Sequence, residues 1–391
     1  MNSLCQPPAY WRLFCWAAAV IGLCATALAA GPNDLKIVAR DPAGHGLLCR
    51  CGPKTILMVS GTPEQMGAAH GTLLRQQVHQ MYQRVQTSIR KDAHLDAAGL
   101  LKLTAQIQRR VGPYTPKRFF AECDALSKAA GLTKADGRCL NFFTEQFHCS
   151  GVALRGKATI GGQVLHARVL DFTTDAGFQK SACVQVFMPK GRNAWMSLGY
   201  AGMIGTVTAM NEKGLAIGEK GNGDAGEGDW DGMSMTLLLR DIMERASSVD
   251  EAMQILTNTP RTCDFCYVVS DKTGAMRAMR LTAKKMIVLK PGQQHAGWPH
   301  VPADTVLISM HPQELSKALQ KAYGKIDVPR LIQILKRPVA SDSNLHDAIF
   351  APQTLDMWFA DAGNNTCACD EPYAHVNLKQ LIDSYRSAAK P

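Results

Sequence analysis

The chain is poor in the features that mark several large protein classes. Charged residues make up 19% of its 391 positions and aromatics 7%, while 46% are hydrophobic. A disordered polyelectrolyte is excluded, and there is apolar material for a sizeable core. There is no repeat, low-complexity tract or long linker, which excludes solenoids and collagen-like fibres. No G-x-S-x-G elbow, H-E-x-x-H pair or G-x-x-x-x-G-K-[ST] loop occurs, which sets aside α/β-hydrolase, zincin and P-loop chemistry. Gly221 to Gly226 has dinucleotide-fingerprint spacing. The acidic run Glu227-Gly228-Asp229-Trp230-Asp231 after it would repel a pyrophosphate, so it reads as a Gly-rich loop.

Acidic residues are the scarcer charge, 33 against 43 Lys and Arg, for a net +10. The excess gathers in residues 62–118, where nine Lys or Arg meet only Glu64, Asp92 and Asp96. Without interleaved aromatics or a recognisable module, this stretch predicts a solvated helix face and no nucleic-acid partner. Contact with an anionic envelope surface is the remaining role for it. Residues 1–30 carry no acidic side chain, and Arg12 precedes an apolar run ending in Ala27-Leu28-Ala29-Ala30. This pattern predicts a cleaved signal peptide and export to the periplasm or beyond.

Of 13 cysteines, Cys5, Cys15 and Cys24 would leave with the signal. Cys49-x-Cys51, Cys263-x-x-Cys266 and Cys367-x-Cys369 look paired, but zinc would need two pairs to converge, and no His cluster sits at ligand spacing. Buried thiols or disulfides are expected instead, with no metal and no cofactor.

Ile56 to Ser60 reads as a strand. Thr62, Pro63 and Gln65 then open a helix whose buried stripe runs Met66, Ala69, Leu73, Val78, Met81, Val85 and Ile89. More helix is expected over about 95–110 and 116–130, strands from Cys149 to Ile217, helix at 234–246 and 249–256, then strands to about 289. Helices, then strands, then helices again predict an α+β layered fold, not a parallel βαβ array. A mainly helical segment over 31–148 is expected to precede a catalytic segment over 149–391.

The informative site is Phe147-His148-Cys149-Ser150-Gly151, where the helical pattern gives way to strands. A two-residue turn at Gly161-Gly162 would place Val152 opposite Asp171 and Cys149 near Thr173-Thr174. Arg168, three residues before Asp171, would point to the other face of a flat strand, so a bulge or strand end is needed if both serve one site.

These residues resemble a known family. Cys149 to Leu154, Gly161 to Phe172 and Met210 to Ala216 are similar to blocks of the isopenicillin-N acyltransferase-like family, cysteine N-terminal-nucleophile (Ntn) hydrolases related to bile-salt hydrolase and acid ceramidase. Gly61 to Gly67 with His70-Gly71, Asn344 to Phe350 and Leu355 to Trp358 fit as well. The resemblance implies a four-layer αββα sandwich, autocatalytic cleavage at His148–Cys149 into two chains, and a thioester on Cys149. It implies that Arg168 faces the thiolate, that Asp171 orients Arg168 and the freed amine, and that the Asn211 segment donates to the oxyanion. The partner would be a small acyl-amide substrate. Two departures stand out: His148 precedes the nucleophile where Gly is common, and Cys266 occupies the place of an expected Asn. The second oxyanion donor is therefore unassigned, with Asn258 a loose candidate. The alternatives are a non-catalytic envelope protein of this fold and an unprocessed Cys–His enzyme using His148 or His166.

Overall fold

The computed structural model describes residues 35–388, apart from 93, 143–147, 223–228, 263 and 297. The expected export signal, Cys263 and most of the Gly-rich loop lie outside the described residues. The chain opens with three strands, β1 (Leu35–Arg40), β2 (Gly46–Cys51) and β3 (Lys54–Gly61). Of these, only the third is expected from the sequence pattern. The Cys49-x-Cys51 spacing is the period of a strand: Leu47, Cys49 and Cys51 all point into one apolar cluster.

Five helices follow: α1 (Pro63–Leu73), α2 (Arg75–Asp92), α3 (Ala97–Val111), α4 (Lys117–Ala130) and α5 (Lys134–Phe142). The Thr62–Gln65 capping box is present, with each side chain bonded to the other's backbone. The single apolar stripe expected from residue 66 to 89 is carried by two helices that break at Leu74. Gly67 and Gly71 let α1 lie directly on α4. A Cβ at either would come within 2.2 Å of Glu122 O or 2.3 Å of Leu126 O.

The rest of the chain supplies β4 (His148–Gly156), β5 (Gly162–Asp171), β6 (Ala182–Pro189), β7 (Trp195–Tyr200), β8 (Thr208–Asn211) and β9 (Leu215–Gly221). Then come α6 (Met235–Arg245), α7 (Val249–Asn258), β10 (Phe265–Asp271), β11 (Met276–Leu281), β12 (Met286–Leu289) and β13 (Thr305–Ser309). The chain ends with α8 (Pro312–Ala322), α9 (Val328–Leu335), β14 (Asn344–Ala351), β15 (Asp356–Asp361), β16 (Ala374–Asn377) and α10 (Leu378–Ala388).

Among the described residues the strands form two sheets. The larger runs β1-β2-β3-β6-β7-β8-β9-β10-β11-β12 and the smaller β13-β4-β5-β14-β15-β16. They pack face to face: Val184, Met196 and Met210 of the larger meet Ala348, Phe350 and Met357 of the smaller. The outer face of the larger sheet is covered by α1, α3, α4, α6 and α7, through Met66, Ile107, Leu126, Leu238 and Leu256. The outer face of the smaller is covered by α8 and α9, through Leu315, Leu319 and Leu331. This is the four-layer αββα sandwich that the resemblance implied. Both faces of the central strands are covered, so β10 and β14 are buried along their whole length.

The β4–β5 hairpin differs from the expected register. His148, not Val152, lies opposite Asp171, and Val152 faces Ala167. The connection is a longer loop between the paired Gly156 and Gly162, with Gly156, Gly161 and Gly162 all at positive φ. A two-residue turn is thereby ruled out, and the tighter register draws Arg168 and Asp171 towards the start of β4. The pairing of β5 with β14 is irregular between Asn344 and His346, where Asp171 ends its strand.

Candidate active site

Cys149 is the second residue of β4 and is fully buried. Gly151, two residues on, sits opposite Arg168. Arg168 Nη2 reaches back to Cys149 Sγ at 2.9 Å. The same nitrogen donates to Glu219 Oε2 at 3.2 Å, and Nη1 donates to the Val169 carbonyl. Gly218 makes this possible: a Cβ there would come within 3.0 Å of the Arg168 side chain and 3.3 Å of His166 Nε2.

Asp171 ends β5 beside His148. Its Oδ1 accepts the Ser341 backbone N–H at 3.1 Å, and its buried Oδ2 has no partner among the described residues. In the backbone register Asp171 lies opposite His148, the residue before Cys149. Asn344 and Asp347 stand behind it. Asn344 Nδ2 donates to Asp347 Oδ1 at 2.8 Å, and Tyr373 donates to Asp347 Oδ2 at 3.0 Å.

Burial pushes the Cys149 thiol well above its usual range, and the Arg168 charge works against that shift. Glu219 is raised to about 7 by burial, opposed by Arg168. Asp347 is likewise raised to about 7 by burial. The thiol is thus sealed from solvent with the Arg168 guanidinium against it.

Asn211 requires a correction. Its Nδ2 donates to the Met243 and Ala246 carbonyls at 2.9 and 2.7 Å, and its Oδ1 accepts from Lys213 N and Leu215 N. The side chain ties the β8–β9 turn to the end of α6, leaving no amide hydrogen for an oxyanion. Asn258 is exposed at the end of α7, and Cys266 lies buried on β10. His166 is bonded through Nδ1 to Ser270 Oγ at 2.9 Å, and burial lowers it to about 3, so it is not poised as a base for Cys149. Glu219 is the residue the sequence reading missed. Its signal was a buried acidic residue in the strand Leu215–Gly221, where the only other charge is the half-buried Lys220.

Cys149 packs with Met81, Val85, Leu140, Leu170, Tyr200 and Leu345. Those six side chains also line an apolar cavity with about 690 Å³ of empty space, part of it open to solvent. Cys49, Cys123, Cys149, Cys183, Cys266, Cys367 and Cys369 are free thiols.

Fold and site together define a class: a two-sheet sandwich holding a buried cysteine against an arginine at the start of a central strand. Residues 162–296 match the family model of acyl-coenzyme A:6-aminopenicillanic acid acyl-transferase, and the resemblance seen in the sequence is borne out over that stretch. The match includes Arg168, Asp171 and Glu219 and begins after Cys149. Protein dcd1A of Dictyostelium discoideum is 26% identical over 374 residues, 83% of each chain. Protein dcd1B of the same organism is 25% identical over 367 residues, covering 85% of this chain and 72% of that one. Among solved structures, the Caenorhabditis elegans N-acylethanolamine-hydrolyzing acid amidase ortholog aligns over 52% of this chain and 93% of its own, at 12% identity and a TM-score of 0.42. Penicillin V acylase from Agrobacterium tumefaciens aligns over 55% and 83%, at 14% identity and a TM-score of 0.36. The assignment of the fold rests on the layers described above.

Proposed function

We propose that the chain is an exported cysteine Ntn enzyme that hydrolyses or transfers the acyl group of a linear, non-peptide amide through a thioester on Cys149. The observation that carries this reading is the 2.9 Å contact between Cys149 Sγ and Arg168.

Activation begins with the Cys149 thiol adding to the His148 carbonyl. The C–N bond breaks as a C–S bond forms, and the nitrogen takes up the thiol proton. Water then hydrolyses this thioester, leaving a carboxylate on His148 and a free α-amine on Cys149. The amine, with an unperturbed pKa of about 8, serves as the base for its own thiol. Asp171, opposite His148 in the hairpin, holds the ammonium form, and Arg168, bonded to Glu219, favours the thiolate. In turnover the thiolate attacks the substrate carbonyl, the leaving amine takes the proton from the Cys149 ammonium, and water or an acceptor amine releases the acyl group. The apolar cavity beside Cys149 suits an acyl chain. Export is proposed on residues 1–30, and the basic helices would face the envelope surface.

The experiment is a panel of N-acyl amines and β-lactams, with acid-quenched intact-mass analysis of the mature protein. An acyl adduct on the Cys149 peptide, absent in Cys149→Ala, is expected. A protein that forms no adduct with any member, and whose Cys149 alkylates no faster than free cysteine, would be the non-catalytic alternative.

A further inference from the structure

Cys367 and Cys369 lie between β15 and β16, in a turn that Asp370 N closes on the Cys367 carbonyl at 3.0 Å. Both side chains pack against the apolar cluster beneath α8 and α9, so they leave the turn on the same side. The charge of Cys367 acts on Cys369. Cys367 is partly exposed and Cys369 is buried, so one thiol of the pair meets solvent and the other stands behind it. Cys49 and Cys51 share this spacing, but both are buried on an extended strand.

The turn grips the stretch of chain that holds Asp171. The Cys367 thiol donates to the Asp342 carbonyl at 3.1 Å, and Cys369 N donates to Asn344 Oδ1 at 2.6 Å. Arg337 ties the same two segments together, through Nε to Asp342 and Nη1 to Asp370. On its other side, the stretch 341–344 binds the end of β5. Ser341 N donates to Asp171 Oδ1, the Ser343 carbonyl accepts from Phe172 N, and Asn344 Nδ2 donates to the Leu170 carbonyl. A few residues of backbone therefore connect the Cys367 thiol to the carboxylate beside the proposed nucleophile.

We propose that Cys367 and Cys369 form a reversible disulfide by exchange with a small disulfide, and that closing it weakens the hold on Asp171. The Cys367 thiolate attacks the small disulfide, forming a mixed disulfide and releasing one thiolate. The Cys369 thiolate then displaces the second. The two protein thiols are oxidised, the small disulfide is reduced to two thiols, and the two protein protons pass to those thiols. The Cys367 sulfur then has no hydrogen to give the Asp342 carbonyl, and the turn must draw its two sulfurs together. Burial raises the Cys369 thiol to about 12, so the second step is the slower one and quickens as pH rises. An exported chain meets the oxidising conditions in which such a bond persists. The effect on turnover rests on the acyl-transfer reading of Cys149; the disulfide and the loosening of 341–344 do not.

The test treats the mature protein with oxidised glutathione at mildly alkaline pH, quenches with acid and maps the peptide carrying residues 367–369. A peptide lighter by two hydrogens, restored by dithiothreitol, is expected, and in Cys369→Ala a glutathione adduct on Cys367 instead. Amide hydrogen exchange over 341–344 should quicken severalfold in the disulfide form. The kcat/KM for an N-acyl amine should fall about tenfold and recover on reduction, while Cys367→Ser keeps its activity under the same treatment. Absence of the disulfide, or a disulfide form with unchanged exchange over 341–344 or unchanged kcat/KM, overturns the proposal. An equal loss of activity in Cys367→Ser would place the oxidation at Cys149 and overturn it as well. A protein that forms the disulfide and loosens 341–344 but transfers no acyl group in either state would reject the catalytic reading and leave the redox site standing.

Discussion

Arg168 has no close alternative position: Gly218 lies against it, Glu219 and Cys149 bracket its Nη2, and the Val169 carbonyl takes Nη1. Gly218→Ala would insert a methyl group 3.0 Å from its side chain. We expect kcat/KM to fall about 10- to 100-fold through misplacement of the guanidinium, with the thermal midpoint changed far less. A large fall in the midpoint with normal specific activity of the surviving protein would assign Gly218 to packing alone. Asp347 gives a prediction in pH. Its pKa rises from 3.8 to about 7 on folding through burial, so its contribution to stability is complete below the lower value and is lost as pH rises through the upper one. Asp347→Asn should therefore gain stability relative to wild type between pH 5 and pH 8, as read from denaturant midpoints. At this scale the sequence showed residue types but not where their hydrogen bonds go. Cys149, Arg168 and Asp171 were legible because a hairpin brings them together. Asn211 was misjudged because its amide is occupied by α6, which is distant in sequence. Glu219 stayed hidden because its partner lies on the other sheet.

At the scale of elements, the two close contacts of α4 are the most exacting. Glu122 on α4 receives two hydrogen bonds from Arg240 on α6, at 2.8 and 2.6 Å, both residues being buried. Glu122→Gln would leave the guanidinium without its full countercharge, and we expect a loss of about 3–5 kcal/mol in unfolding free energy. Gly71→Ala, which drives a Cβ into the backbone of α4, should cost about 1–3 kcal/mol. The capping box and most strands were readable from local pattern. The β4–β5 register was not, because three glycines able to adopt positive φ, Gly156, Gly161 and Gly162, allow several loops, and hydrogen bonds of this loop to Asp304 and Ile326 hold one of them.

At the scale of the molecule, the segment before Cys149 is not a separable unit. Its β3 runs parallel to β6 in the middle of the larger sheet, and its Met81, Val85 and Leu140 wall the cavity beside the nucleophile. A cut at His148–Cys149 should therefore yield two chains that elute together in size-exclusion chromatography and separate only in denaturant. The layer order was legible from the succession of helical and strand-like stretches, whereas the pairing of β3 with β6 was not, since nothing local distinguishes a strand's partner more than a hundred residues away.

The central claim is that Cys149 becomes the first residue of a new chain and then carries the acyl group. Intact-mass measurement and N-terminal sequencing of purified wild type and Cys149→Ala test it most directly. We predict two chains for wild type, the second beginning Cys149-Ser150-Gly151, and one uncut chain for the variant. A wild-type protein that stays a single chain while catalysing thiol-dependent acyl transfer would contradict it.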